Sequence, residues 1–266
     1  MSKKLLCEYI GGSHSYGLNT PSSDIDYRGV YKLTDIGRII NPRAYESTKM
    51  DTEVQTTEQD GKDAAYYEFR HFIQLLGKGN TGSMETLFND KWKSCNTFFI
   101  NVQNQKRNLI DPEKLKKSVV GYAYSEYELA IGNRTGKLGG KRFETVQRLG
   151  FSPKNFVNLF RLLYSAETFF ETGIFPVDLK GSYIYPQLME IKTCPERFNK
   201  VRLTEMRDER MKALDASWDK NKDKISKEYK HDQGTVNKLV LDCYIDELVV
   251  ASPRSWLKRL AYKLVP

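Results

Sequence analysis

The sequence predicts an α+β protein, with strands and turns in the first hundred or so residues and helices in the rest. Two observations carry that prediction. β-branched, aromatic and turn-forming residues crowd the beginning of the chain, and apolar spacing near 3.6 residues takes over after Phe69. The division falls at Asp111, which gives segments 1–110 and 111–266. A chain of 266 residues with 39% hydrophobic and 12% aromatic content has the material for one large core or two smaller ones.

Residues 4–10 read as a strand or helix end running into the turn Gly11-Gly12-Ser13. Residues 24–32 carry the content of a strand, with Ile25 and Tyr27 opposite Asp24 and Asp26. Gly29 marks a bulge or a close backbone approach. Residues 48–61 are polar and read as an exposed loop or hairpin, and 63–67 as a short strand. Phe69, Phe72, Ile73, Leu75 and Leu76 then fall at helical spacing until glycines interrupt at 77–82. A further short helical segment starts at Met84.

Asp111-Pro112-Glu113 is a helix start: a capping aspartate, proline in the first turn and an acid beside it. Residues 132–140 form a connector. Ser152-Pro153 caps a helix that is apolar over a wide arc as far as Gly173, and so belongs at the centre of the second half. Residues 200–232 mix both charges and read as a solvated helix pair, followed by an amphipathic helix over 235–250 and a basic, aromatic tail.

Several function classes are disfavoured. No apolar run reaches the ~18 residues that cross a bilayer. The N-terminal apolar stretch is too short for a signal peptide, so a cytoplasmic protein without membrane contact is expected. Cys7, Cys95, Cys194 and Cys243 form no C-x-x-C pair and read as reduced thiols. His14, His71 and His231 lack metal-ligand spacing, which argues against a zinc enzyme. The net charge of +8 favours polyanionic partners or reflects ordinary lysine-rich solubility.

The chemistry concentrates in residues 12–26, GSHSYGLNTPSSDID. Asp24 and Asp26 on a strand would share one face, roughly 6.6–6.8 Å apart along the backbone. Such neighbours repel unless a divalent cation sits between them. Hard oxygen donors suit Mg²⁺ held by carboxylates and substrate phosphates together.

Gly12-Ser13, ten residues, then Asp24-Ile25-Asp26 resembles the signature of the DNA polymerase β-like nucleotidyltransferase superfamily. The longer stretch through Tyr27-Arg28-Gly29-Val30-Tyr31 resembles the RlaP/YcgL-like family of nucleotidyltransferases proposed to act in RNA repair. Two later segments resemble it too. One runs from Tyr67-Glu68-Phe69-Arg70 through Lys78-Gly79-Asn80 to Glu85-Thr86-Leu87-Phe88, and the other from Gly150-Phe151-Ser152-Pro153-Lys154 to Glu171-Thr172-Gly173. The resemblance implies a small mixed-sheet, palm-like nucleotidyltransferase domain followed by a helical domain that binds nucleotide and acceptor.

It also implies transfer of a nucleoside monophosphate from an NTP to a hydroxyl, with two Mg²⁺ ions, or Mn²⁺, on Asp24 and Asp26. Gly12 would allow close approach of the triphosphate, Ser13 would bond its oxygens and Ser23 would orient the aspartates. A third acid from an adjacent strand is expected at Asp63, with Glu68 as substitute and Glu53 more distant. Lys154 and Arg161 share a helix face and would either reach the triphosphate or snorkel along a core helix. Asn158 stands where family members often carry histidine.

His14 is open to a proton-handling role, a phosphate contact or loop packing. Tyr16, Tyr27 and Arg28 are open to base stacking or sheet packing, and Lys137, Lys141 and Arg142 to a backbone grip or a plain connector. Arg254, Lys258, Arg259 and Lys263, interleaved with Trp256 and Tyr262, fit either nucleic-acid contact or terminal packing. The expected acceptor is an RNA 3′ end, in repair or tRNA-directed addition. A protein hydroxyl and a catalytically inactive nucleotide-binding module are the alternatives.

Overall fold

A computed structural model describes residues 3–34, 53–54, 64–134 and 140–250. Its sheet has the order β3-β4-β2-β1-β5. The strands are β1 (Lys3–Ile10), β2 (Tyr27–Leu33), β3 (Glu53–Val54), β4 (Ala64–Glu68) and β5 (Ser94–Cys95). β1 pairs antiparallel with β2 and β5, β3 antiparallel with β4, and β2 parallel with β4, so the sheet is mixed.

The expected strand over 24–32 begins later, at Tyr27. Asp24 and Asp26 therefore lie in the segment that leads into β2, not in the ladder, and the strand-face argument for their alignment does not hold. The reason lies upstream. A turn closes at Ser23 N to Thr20 O (2.9 Å), and Gly11 N then takes Asp26 O (2.7 Å). Regular pairing starts only where Tyr27 meets Ile10 on one side and Ala64 on the other. Asp is also a poor strand former. Gly29 does sit at a close approach, since a Cβ there would lie 2.3 Å from the Cys7 carbonyl oxygen.

After the sheet the chain is helical. The described helices are α1 (Gly12–Ser15), α2 (Phe69–Gly77), α3 (Thr81–Phe88), α4 (Thr97–Asn104), α5 (Pro112–Ala130), α6 (Gly140–Leu149), α7 (Pro153–Thr172), α8 (Tyr185–Thr193), α9 (Lys200–Glu228) and α10 (Gln233–Val250). The caps read from sequence are in place. The Asp111 side chain accepts from Lys114 N, the Ser152 side chain from Asn155 N, and Gly173 ends α7 in the left-handed region at φ 76°. Each such cap contributes about 1 kcal/mol.

Residues 200–232 hold one long helix rather than a pair. No glycine or proline interrupts Lys200–Glu228, so nothing stops propagation over a rod of roughly 43 Å. The tail beyond 250, the 136–139 stretch and most of 48–61 lie outside the described residues.

α7 is the axis of the helical part and packs against α5, α8 and α9. Phe156, Leu159, Phe160, Leu162, Leu163, Phe169 and Phe170 on it are all fully buried. Each stabilises the fold by about 1.5–3 kcal/mol through burial. At the start of α7 two buried polar side chains are paired: Ser152 bonds Asn155, and Asn155 Nδ2 donates to Glu126 (2.9 Å). One apolar cluster runs from Leu6 in β1 to Tyr244 in α10, so sheet and helices share a core.

Candidate active site

The site forms where β1 ends. Gly12 opens the short helix α1 at φ +60°, a conformation that favours glycine. It is also tightly overlaid: a Cβ at Gly12 would stand 2.3 Å from Asp26 Oδ2. The absence of a side chain at Gly12 is thus what lets the Asp26 carboxylate lie against the Gly12-Ser13 bend. A Cβ at Gly11 would meet Arg28 Cγ at 2.3 Å, so Arg28 covers the preceding glycine. Asp26 is partly exposed and Asp24 exposed. Sequence spacing links Gly12, Ser13, Asp24 and Asp26; the folded chain brings Gly12 and Asp26 together.

The loop between bend and aspartates is held from several sides. Ser13 O accepts from Leu18 N (2.8 Å), and Leu18 is buried. Ser23 Oγ accepts from Thr20 N (2.8 Å), so Ser23 shapes the turn before Asp24. Tyr16 OH donates to Glu85 Oε2 (2.7 Å) from α3. Arg161 Nη1 donates to Glu85 Oε1 (2.6 Å), and its guanidinium lies 3.6 Å from the Tyr16 ring centroid.

Arg161 is thus buried, and its guanidinium is engaged with Glu85 and Tyr16 on the inner side of α7. Burial opposes its charge, but Glu85 and Tyr16 outweigh that and hold its pKa above the ordinary arginine value. Burial likewise pushes the Tyr16 hydroxyl well up, against the opposing pull of Arg161. Lys154 differs from Arg161 despite the shared helix: it is exposed in the first turn of α7. Its charge acts on Lys192 in α8, a residue that sequence reading missed. The Lys192 ammonium donates to Leu18 O (2.5 Å) and Ser23 Oγ (3.5 Å).

The expected third acid, Asp63, lies outside the described residues. Its neighbour Ala64 pairs with Tyr27, at the end of the sheet where Asp26 precedes β2. Glu68 is corrected. It sits beside Tyr31, roughly 13 Å along the strand from that end. It is also fully buried, accepts from Arg70 N (3.0 Å), His71 N (3.3 Å) and Arg70 Nε (3.1 Å), and takes the Tyr244 hydroxyl from α10. That carboxylate caps α2 and anchors α10, and is not open to a metal. Glu53 lies in β3, whose backbone pairs with β4.

Among the described residues no group of three or more His, Cys, Asp or Glu side chains gathers as a metal cage. Asp26, partly exposed, and Asp24, exposed, are hard oxygen donors of the kind with which Mg²⁺ binds one or two carboxylates plus substrate phosphates. His14 Nε2 is buried and has no hydrogen-bond partner among the described residues. Tyr27 packs under Lys93, 4.4 Å from its ring centroid, as part of the sheet surface. No described helix is long and apolar enough to cross a membrane.

Comparison with curated proteins and with solved structures gives no match. A family model described as RlaP, RNA repair pathway DNA polymerase beta family, matches residues 2–168, the span that holds the sheet, the aspartate loop and most of α7. With well over half of its length matched, the chain belongs to the RlaP family of DNA polymerase β-like nucleotidyltransferases.

Proposed function

We propose that this chain transfers a nucleoside monophosphate from an NTP to a hydroxyl, with an RNA 3′ end as acceptor. The observation that carries the reading is the Asp26 carboxylate set against the Cβ-less face of Gly12, with Asp24 two residues before it. Bound there with Asp24 and Asp26, and with Asp63 as the proposed third ligand, Mg²⁺ would activate the attacking oxygen and neutralise charge on the leaving pyrophosphate. The protein's own part is positioning. The Cβ-less Gly12 would allow phosphate oxygens close to the bend, and the Ser13 hydroxyl would bond them. Ser23 sets the turn that aims the aspartates, and Lys154 offers an exposed cation on the helical side. Arg161 acts through Tyr16, by fixing the loop between the bend and the aspartates.

The RNA acceptor is supported by the family described as belonging to an RNA repair pathway and by the net charge of +8. The test is incubation with labelled NTPs, Mg²⁺ and mixed RNA or protein acceptors, with Asp26→Asn as control. The expected result is RNA extended by label, RNA affinity that falls as salt rises, and at least a hundredfold loss of transfer in Asp26→Asn. Activity that survives Asp26→Asn would overturn the metal assignment, and label moving only into protein would overturn the RNA acceptor.

A further inference from the structure

Lys192 lies beyond residues 2–168, and nothing in its local sequence marks it. It sits in the last turn of α8 yet reaches a loop 174 positions earlier. Its ammonium donates to Leu18 O at 2.5 Å, a short, charge-assisted bond, and approaches Ser23 Oγ at 3.5 Å. These two acceptors bracket the 18–23 turn. Ser23 already closes that turn internally by accepting from Thr20 N (2.8 Å), and the next residue is Asp24. Lys192 thus grips both ends of the turn that leads into the aspartates.

The placement is costly. Lys192 is partly buried, and among the described residues the partners recorded for it are a carbonyl and a hydroxyl, with no carboxylate. Lys154 adds a repelling charge. Burial first, and Lys154 second, draw the Lys192 pKa below the ordinary lysine value. A flexible lysine would reach solvent if nothing were gained by holding it there.

A second link from the same part of the chain acts alongside it. Leu179 N donates to Tyr16 O (3.1 Å), and a Cβ at Gly17 would stand 2.6 Å from Asp178 Oδ1. The segment before α8 therefore fits closely over residues 16–17, while Lys192 holds 18 and 23.

We propose that Lys192 is a positioning residue of the aspartate loop: it ties Leu18 and Ser23 to the helical part and so fixes where Asp24 and Asp26 stand. The inference rests on the reading of those aspartates given above, and its primary test needs no activity. Amide hydrogen exchange across residues 18–26 is compared in the wild-type chain, Lys192→Met and Lys192→Arg. Methionine keeps the length of the stem and loses the donor; arginine keeps a cationic donor.

The expected result is at least tenfold faster exchange at 18–26 in Lys192→Met, unchanged exchange in α7, and substantial recovery in Lys192→Arg. In the transfer assay kcat should fall at least tenfold in Lys192→Met, with the KM for NTP within about threefold of wild type. Unchanged exchange at 18–26 in Lys192→Met would overturn the proposal. So would faster exchange spread equally over α7, which marks a general structural role. If Lys192→Met does not fold, exchange in Lys192→Gln and Lys192→Arg decides: protection at 18–26 lost with the shorter, neutral glutamine and kept with arginine supports the tie, and any other pattern overturns it. If the wild-type chain transfers no nucleotide, the functional reading fails while the exchange result still stands for or against the tie.

Discussion

Asp26 and Glu68 stand near opposite ends of one parallel strand pair, and their surroundings could hardly differ more. Asp26 precedes β2, keeps partial exposure, and lies against a glycine that has no side chain to displace it. Glu68 ends β4, is fully buried, and is committed to two backbone N–H groups, a guanidinium and a tyrosine hydroxyl. Burial pushes that Tyr244 hydroxyl strongly upward and Glu68 adds to it, so the tyrosine stays a donor. The lesson is that an acid near a candidate centre is judged by what already uses its oxygens. A carboxylate that accepts four hydrogen bonds builds the fold, whereas one kept partly open in a tight bend remains available for a ligand.

The contrast is broken most severely at Glu68. Glu68→Ala strips α2 of its cap, takes one partner from the part-buried Arg70 and removes the acceptor of the buried Tyr244 hydroxyl. It is expected to cost about 3–5 kcal/mol in urea unfolding. Asp26→Asn should stay within about 0.5 kcal/mol of wild type in the same measurement. Equal losses would erase the distinction.

Gly12→Ala comes next. At φ +60° an alanine costs about 1–2 kcal/mol. Its Cβ must also push Asp26 Oδ2 away, so transfer should fall more than tenfold while bulk helicity by circular dichroism is kept. Retained transfer would show that the Asp26–Gly12 approach is not needed.

The smallest effect belongs to Asp178, which lies over Gly17 and pairs with Lys91. Partial burial alone would raise this carboxyl, but Lys91 and the Lys180 N–H outweigh it and hold it below the usual range. Its folded pKa is therefore below its unfolded value of ~3.9. The pair stabilises above that pH and loses its contribution as pH falls through the folded value. Lys91 is 59% exposed, so water screens most of the attraction. Asp178→Asn should cost under about 1 kcal/mol at pH 7, and the difference from wild type should shrink as pH falls below about 4. A difference that grows on acidification would reverse the assignment.

Much of this architecture is legible in the chain because its determinants are local. Asp111-Pro112 and Ser152-Pro153 start helices through bonds that span three residues. The wide apolar arc of 153–172 announces its own burial. The start of β2 was misread because it depends on Gly11 bonding Asp26 and on Tyr27 finding Ala64, pairings between distant positions. The commitment of Glu68 was hidden for the same reason, since Tyr244 stands 176 positions away. Lys192 carried no signal at all: a lone lysine in a helical turn looks like surface. At Arg161 the heptad spacing from Lys154 was correct, but the spacing could not tell that one end of that face dips inward to Glu85.

The return of α10 to the sheet has a consequence for biosynthesis. Lys32 in β2 donates to the carbonyl of Cys243, and Glu68 takes the Tyr244 hydroxyl. A ribosome delivers those partners more than 170 residues after the strands themselves. Until then the nascent sheet must wait with a lysine and a glutamate lacking their final contacts, the kind of long-separation closure that slows folding and invites chaperone attention.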